Sequence, residues 1–139
     1  MKVINDSIRL STSGFSDMKD LTDEVSGKLT SLKLQSGQVT LFVPGSTGGL
    51  TTIEYESGLE KDFTELMERI VPSNKTYHHD ARWGDGNGFS HVRASLIGPS
   101  LTVPFEDGKL MLGTWQQIVF IDFDNCSRSR TIVLQFIGE

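Results

Sequence analysis

The sequence predicts a single α+β domain, in which mostly antiparallel β-sheet is covered by two or three helices. The length of 139 residues suits one domain that needs no disulfide or structural metal to fold. Short apolar runs rich in β-branched and aromatic residues, separated by turn signals, indicate about seven strands. Only two segments clearly carry apolar residues at the period of an amphipathic helix. Since there is no linker or internal repeat, residues 1–139 are expected to form one domain.

The first half of the chain is predicted to alternate strands and helices. Residues 3–10 alternate in polarity with little hydrophobicity, which predicts an edge strand. Apolar residues at helical spacing over 21–32 predict a first helix, and those over 59–70 predict a second one. Between the helices, residues 39–43 predict a buried strand. Residues 50–56 predict another strand, one face of which carries carboxylates.

The second half is predicted to be irregular at first and strand-rich afterwards. Residues 73–90 show no period, and an irregular segment of this length in a compact domain is usually functional. Residues 91–97 fit either a short helix or a strand. Asp107-Gly108 is a hairpin signal. Two apolar runs, 115–123 and 131–137, are predicted to pair as the central strands of the sheet.

Composition excludes several classes of partner. The chain has 13 Lys and Arg against 18 Asp and Glu, a net charge of −5, which opposes binding to nucleic acid or to anionic membranes. No apolar run reaches the length of a membrane span, and residues 1–6 do not resemble a signal peptide. A cytoplasmic location is therefore expected. Cys126 is the single cysteine and is expected to be a passive thiol.

The histidines are the first candidates for chemistry. In an extended chain, His78 and His79 would point to opposite sides, so only one of them would serve a given site. A pair such as His79 and His91, completed by a carboxylate, would suit zinc, nickel or manganese. Spacing alone equally allows surface or hydrogen-bonded loop histidines. The carboxylates available to complete the site are Glu54, Asp80 and Asp85.

A phosphate site has a candidate loop and candidate cations. The segment 45–49 follows a strand, and its backbone N–H groups could form an anion-binding nest. It lacks the Lys-Ser/Thr ending of a P-loop, so a plain turn between strands is the alternative. Arginine side chains bind phosphate through two parallel N–H groups, although on an exposed hairpin they more often only add solubility. The candidates are Arg93, Arg128 and Arg130.

Several motifs together resemble the YjbQ-type family, whose members are described as secondary thiamine-phosphate synthases. They cover most of the chain, and the second half carries the most specific ones. The motifs are Val71-Pro72, Tyr77-His78-His79-Asp80, Asn87-Gly88-Phe89-Ser90-His91-Val92-Arg93-Ala94-Ser95-Leu96-Ile97-Gly98, Leu110-Met111-Leu112-Gly113-Thr114-Trp115-Gln116 and Ile137-Gly138-Glu139.

The resemblance implies a YjbQ-like α+β fold and a bound divalent metal, for which zinc and magnesium are the first candidates. Carried over residue by residue, the family pattern assigns the metal to His79, His91 and Glu54, and it leaves His78 as a bystander. Gly45 stands where the family has a third histidine. Asp80 would then orient a histidine. The residues assigned to phosphate oxygens are the side chains of Arg93 and Arg130 and the backbone of Gly45, Ser46, Thr47 and Gly48.

The implied reaction joins a pyrimidine methyl diphosphate to a thiazole phosphate and releases diphosphate. A divalent cation and arginines suit such chemistry, because the leaving diphosphate needs charge stabilisation more than a strong base. The resemblance also implies a homotrimer with sites near subunit boundaries, and Trp115 is either a core residue or an interface anchor. Two alternatives stay open. They are another metal- or phosphate-dependent enzyme and a trimeric binding module without catalysis.

Overall fold

Two antiparallel β-sheets and four helices form the fold, and the computed structural model describes all residues from Met1 to Glu139. The predicted α+β class is confirmed. The strands are β1 (Lys2–Thr12), β2 (Asp17–Asp20), β3 (Gly37–Phe42), β4 (Gly48–Ile53), β5 (Ser100–Glu106), β6 (Lys109–Leu110), β7 (Gln117–Asp122) and β8 (Arg128–Gly138). The helices are α1 (Thr22–Leu32), α2 (Ser57–Ile70), α3 (His78–Trp83) and α4 (Gly88–Ile97). None of the helices combines the length and the apolarity that a membrane span requires.

The larger sheet has the strand order β1-β8-β3-β5-β6, and the smaller one has the order β2-β7-β4. The first strand is an edge strand, as its weak hydrophobicity predicts. The hairpin at Asp107-Gly108 is also confirmed, because Phe105 pairs with Leu110 and both turn residues have positive φ.

Two apolar clusters hold the layers together. The larger one fills the space between the two sheets and also includes the buried side of α1, with Val25 and Leu29. The smaller one lies on the opposite face of the three-stranded sheet, where Met67 of α2 and Ala94 of α4 pack on Val119 and Ile121 of β7. The smaller sheet is therefore covered on both faces, by the larger sheet and by helices.

The structure corrects the predicted pairing of the two most apolar strands. β7 pairs with β2 and β4, whereas β8 pairs with β1 and β3 in the other sheet. Residues 118–122 of β7 are all buried because both faces of that strand are covered. Both strands belong to the core, but they lie in different sheets.

The segment 73–90 is irregular only in part, at residues 73–77 and 84–87. It contains α3 and the start of α4, and residues 91–97 adopt the helical alternative. The six residues of α3 are too few for a period to show in the sequence. This helix ends at Gly84, which has φ of 72°.

The predicted strand over 50–56 is shifted toward its N-terminus. β4 begins at Gly48 and ends at Ile53, so the expected carboxylate face does not form. Glu56 instead caps α2, since its carboxylate accepts the backbone N–H groups of Gly58 and Leu59.

Candidate metal centre

Helices α3 and α4 bring two histidines and two carboxylates together. The rings of His79 and His91 have centroids 4.3 Å apart. The Nδ1 atom of His79 lies 3.5 Å from Oδ1 of Asp80 and 3.5 Å from Oδ1 of Asp85. Ligand atoms that share a divalent ion, each about 2.0–2.2 Å from it, lie roughly 3–4 Å apart. The spacing of His79, Asp80 and Asp85 therefore suits ligands of one cation, and the ring of His91 lies beside them.

Two observations make these imidazoles suitable for binding a cation. His79 Nδ1 is buried and has no hydrogen-bond partner. Burial lowers the pKa of His91, and the neighbouring His79 lowers this pKa further. A neutral ring keeps a lone pair for a metal.

Asp80 is fixed between the two helices. Its Oδ2 accepts the backbone N–H of Tyr77 at 3.1 Å, and its Oδ1 accepts the N–H of Gly88 at 2.8 Å. The bond from Gly88 is the main reason why the pKa of Asp80 lies below its ordinary value. An ionised carboxylate is thus held at the first turn of α4, beside His79.

A second polar cluster lies where β7 and β8 approach each other. Arg130 donates from Nε and Nη2 to the two oxygens of the fully buried Asp122, at 2.7 and 2.9 Å. The same Nη2 donates to Thr47 Oγ1 at 2.7 Å. Asp124 accepts Nε of Arg128 at 2.9 Å and Oγ1 of Thr47 at 3.2 Å. These hydrogen bonds connect the residue before β4 to the end of β7 and the start of β8.

Asn87 connects this cluster to the histidine helices. It directly precedes α4, and its Nδ2 donates to Oδ1 of Asp124 at 3.1 Å. One helical turn further along α4 is His91. The two polar clusters are therefore parts of one continuous site.

Asp124 is expected to make stability depend on acid pH. Burial alone would raise its pKa, but hydrogen bonds from Asn87, Asn125 and Arg128 hold the pKa below the ordinary value of 3.8. A carboxyl whose pKa is depressed on folding stabilises the fold above that ordinary value, and this contribution is lost as pH falls through the folded-state pKa. Urea unfolding between pH 7 and pH 3 should show wild-type stability falling below about pH 4. Asp124→Asn should lose about 1–3 kcal/mol at neutral pH and show a flatter acid decline. Parallel pH curves for the two proteins would contradict this.

Among the predicted residues, Arg93 is not at this site. Its guanidinium is 1% exposed and donates to the carbonyl of Val71, to Glu68 and to Ser16. The physical reason is helical geometry, because residues two apart on a helix point about 200° apart. Arg93 therefore faces the core while His91 faces His79, and the expected contact with phosphate is corrected to a structural role.

Glu54 is also far from the histidines. In the register of β4 and β7, Gly48 lies opposite Asp122 and Ile53 lies opposite Gln117. Glu54 follows the other end of the strand, six residues after Gly48, which corresponds to roughly 20 Å at about 3.3 Å per residue. Within one chain it does not join the cluster, and Asp85 takes the place expected for it.

Of the loop residues 45–48, which were expected to line a phosphate site, only some lie beside Arg130. Thr47 contacts Arg130 and Asp124, and a methyl group added to Gly45 would lie 3.5 Å from Nη1 of Arg130. Ser46 is exposed. Gly48 has a different role, because a methyl group there would lie 2.6 Å from the ring of Phe120. Its lack of a side chain permits close packing on β7.

Three site residues were missed by the sequence analysis, namely Asn87, Asp122 and Asp124. For the two aspartates, the sequence does contain a pattern that indicates a buried role. Asp122 and Asp124 are two residues apart, as are Arg128 and Arg130, and alternate residues of extended chain share a face. Opposite charges at matching positions on two apolar strands indicate a buried ion-pair network.

The fold and the site together define a two-sheet α+β protein with a histidine–carboxylate cluster. A family model described as "UPF0047 protein YjbQ-like" matches residues 6–139. A UPF0047 protein of Archaeoglobus fulgidus is 40% identical over 126 residues, covering 91% of this chain and 96% of the relative. The UPF0047 protein YugU of Bacillus subtilis is 32% identical, covering 94% and 97%. This chain belongs to the YjbQ-like UPF0047 family.

Solved structures agree with this assignment. A YbjQ-like protein of unknown function from Sulfolobus solfataricus superposes with a TM-score of 0.92 at 29% identity, covering 99% of each chain. A hypothetical protein from Aeropyrum pernix gives a TM-score of 0.90 at 29% identity, covering 98% of this chain and 99% of that one. The two-sheet fold is therefore shared along the whole chain.

Proposed function

We propose that this protein is a metal-dependent enzyme that acts on a phosphorylated small molecule. One observation carries the proposal: the buried, unpartnered Nδ1 of His79 lies 3.5 Å from two carboxylates and beside a second imidazole. Local charge supports it, since four carboxylates face only two guanidinium groups in the continuous site. A divalent cation would balance the difference. The charged groups are Asp80, Asp85, Asp122, Asp124, Arg128 and Arg130.

Arg130 supports the phosphate part of the proposal. Its Nε and Nη2 are held by Asp122 and Thr47, so the guanidinium is fixed in one orientation. Its Nη1 makes no hydrogen bond within the chain and lies beside Gly45, where a methyl group would be 3.5 Å away. A preorganised N–H donor of this kind suits a phosphate oxygen.

The family resemblance supplies the specific reaction. A ring nitrogen of the thiazole phosphate forms a bond to the methylene carbon of the pyrimidine, and the bond from that carbon to the diphosphate oxygen breaks. The electron pair of the broken bond leaves with diphosphate, so no proton transfer is required. A bound divalent cation would stabilise charge on the leaving group. Arg130 would bind the diphosphate oxygens, and Asp80 would bind the cation beside His79 instead of orienting that ring.

The homotrimer implied by the family is part of the same proposal. Trp115 is 74% exposed in the single chain, so it is not a core residue and stays a candidate interface anchor. Glu54 follows the same end of the small sheet at which Trp115 lies, since β7 pairs Gln117 with Ile53. In a head-to-tail ring, this end could approach the histidine cluster of a neighbouring copy. Glu54 would then act across a subunit boundary.

The test uses untagged protein, both substrates and added Mg²⁺, Zn²⁺ or Mn²⁺. We expect formation of thiamine phosphate that depends on the cation, with Arg130→Gln lowering the rate at least about tenfold. Elemental analysis and light scattering of the same preparation should show bound metal and a mass three times the 15.4 kDa of one chain. Bound metal without turnover would contradict the synthase reaction and favour another substrate. Absence of metal binding would contradict the enzyme proposal altogether.

A further inference from the structure

We infer that Asn87 belongs to the metal site: its side-chain oxygen binds the cation or a water on the cation, and Asp124 holds the amide in that orientation. This inference rests on the proposed metal site. It adds to that site a residue from outside the histidine and carboxylate set.

The supporting observation is a pair of unsatisfied atoms. Two buried side-chain atoms of this protein lack any hydrogen-bond partner, namely His79 Nδ1 and Asn87 Oδ1. Asn87 is only 6% exposed, and a buried acceptor without a partner destabilises the folded chain. Asn87 Oδ1 carries lone pairs, as does His79 Nδ1 when the ring proton is on Nε2. Both residues lie at the N-terminal ends of their helices, which meet where Asp80 accepts the N–H of Gly88. A cation satisfies two lone pairs at once, whereas a bond between these two atoms would need a proton on His79 Nδ1.

Asp124 determines which way the amide of Asn87 faces. An ionised carboxylate only accepts hydrogen bonds, so Asn87 must present its NH₂ group to Oδ1 of Asp124, and its oxygen points elsewhere. An asparagine before a helix normally uses this oxygen to accept a backbone N–H of the first turn. Asn87 makes no such bond. Its oxygen is therefore left free beside the turn that carries His91.

An amide oxygen is a hard ligand, and it makes the donor set richer in oxygen. Two imidazoles, the carboxylates of Asp80 and Asp85 and one amide oxygen suit a six-coordinate ion better than a tetrahedral one. Mn²⁺ is therefore a suitable probe, since it accepts both imidazole and oxygen ligands.

The experiment is calorimetric titration of the full chain with Mn²⁺, comparing wild type with Asn87→Ala, Asn87→Asp and the control Ser90→Ala. Ser90 is fully buried in the same turn and donates to the carbonyl of Phe123, so its loss perturbs packing without removing a free oxygen. We expect Asn87→Ala to weaken Mn²⁺ binding at least about tenfold and Ser90→Ala to stay within about twofold.

Asn87→Asp separates a ligand role from a purely structural one. It keeps a side-chain oxygen but cannot donate to Asp124. A ligand role predicts that Asn87→Asp binds Mn²⁺ at least as tightly as wild type, although its metal-free melting temperature falls because two carboxylates then face each other. The inference is overturned if Asn87→Ala binds like wild type, or if Asn87→Asp binds as weakly as Asn87→Ala. A wild-type chain that binds no Mn²⁺ instead overturns the proposed function itself.

Discussion

Replacing Arg93 with alanine is expected to destabilise the protein by roughly 3–5 kcal/mol. The side chain is among the largest that are fully buried, and its guanidinium lies 4.9 Å from the centroid of the Phe89 ring. Its Nε and Nη2 both donate to the carbonyl of Val71, at 3.0 and 2.8 Å. Truncation would leave this carbonyl without a partner and open a cavity between α2 and α4. Urea unfolding at neutral pH measures the loss.

Two further variants separate the sources of this stability. Glu68 accepts a hydrogen bond from Nη2 of Arg93 at 2.7 Å, but the Glu68 side chain is 45% exposed. Glu68→Gln should therefore lose less than about 1 kcal/mol of stability. Arg93→Lys keeps the charge but cannot place two donors on the Val71 carbonyl, so it should fall between wild type and alanine. If Arg93→Ala unfolded within about 1 kcal/mol of wild type, the structural role assigned to Arg93 would be wrong.

Much of the fold could be predicted because periodicity records which faces of an element are buried. The stripe over residues 21–32 predicted α1, and the stripe over 59–70 predicted α2. The partner of each strand could not be predicted in this way. The apolar residues of β7 and β8 show that both are buried, but they do not show that the strands lie in different sheets.

The site illustrates how one undecided element changes a functional assignment. Residues 91–97 fitted a helix or a strand. In a strand, His91 and Arg93 would share a face, and the arginine would reach the same ligand as the histidine. In the helix that forms, they point to opposite sides. The meeting of His79 and His91 was expected, whereas the place of Asp85 in the cluster depended on where α3 ends.

Glu54 was assigned by motif, and only the register of β4 on β7 shows its distance from the histidines within one chain. Motif matching identifies residue types that a family shares, but it does not say whether they meet within one subunit or between two. The solution mass of the protein therefore bears directly on the role of Glu54.

The largest effect on metal binding is expected for His79→Ala, which should weaken Mn²⁺ binding more than about 100-fold. Loss of a residue that only orients a ligand costs about 10- to 100-fold, and loss of the ligand itself should cost more. The metal-free protein should behave in the opposite way. Since Nδ1 of His79 is buried without a partner, its removal should leave the metal-free melting temperature unchanged or slightly higher. A histidine that only supports the fold would instead lower this temperature when removed.

The contrast is measurable by thermal unfolding with and without Mn²⁺. For wild type at a free Mn²⁺ concentration 100 times the dissociation constant, linkage gives about 2.7 kcal/mol of added stability, and His79→Ala should lose nearly all of it. His91→Ala should lose it too, because its ring lies beside that of His79. His78→Ala is the matched control, since His78 is an exposed histidine of the same helix, and it should keep the full shift. If Mn²⁺ still raised the melting temperature of both His79→Ala and His91→Ala, the cation would bind elsewhere. The proposed metal centre between α3 and α4 would then be wrong.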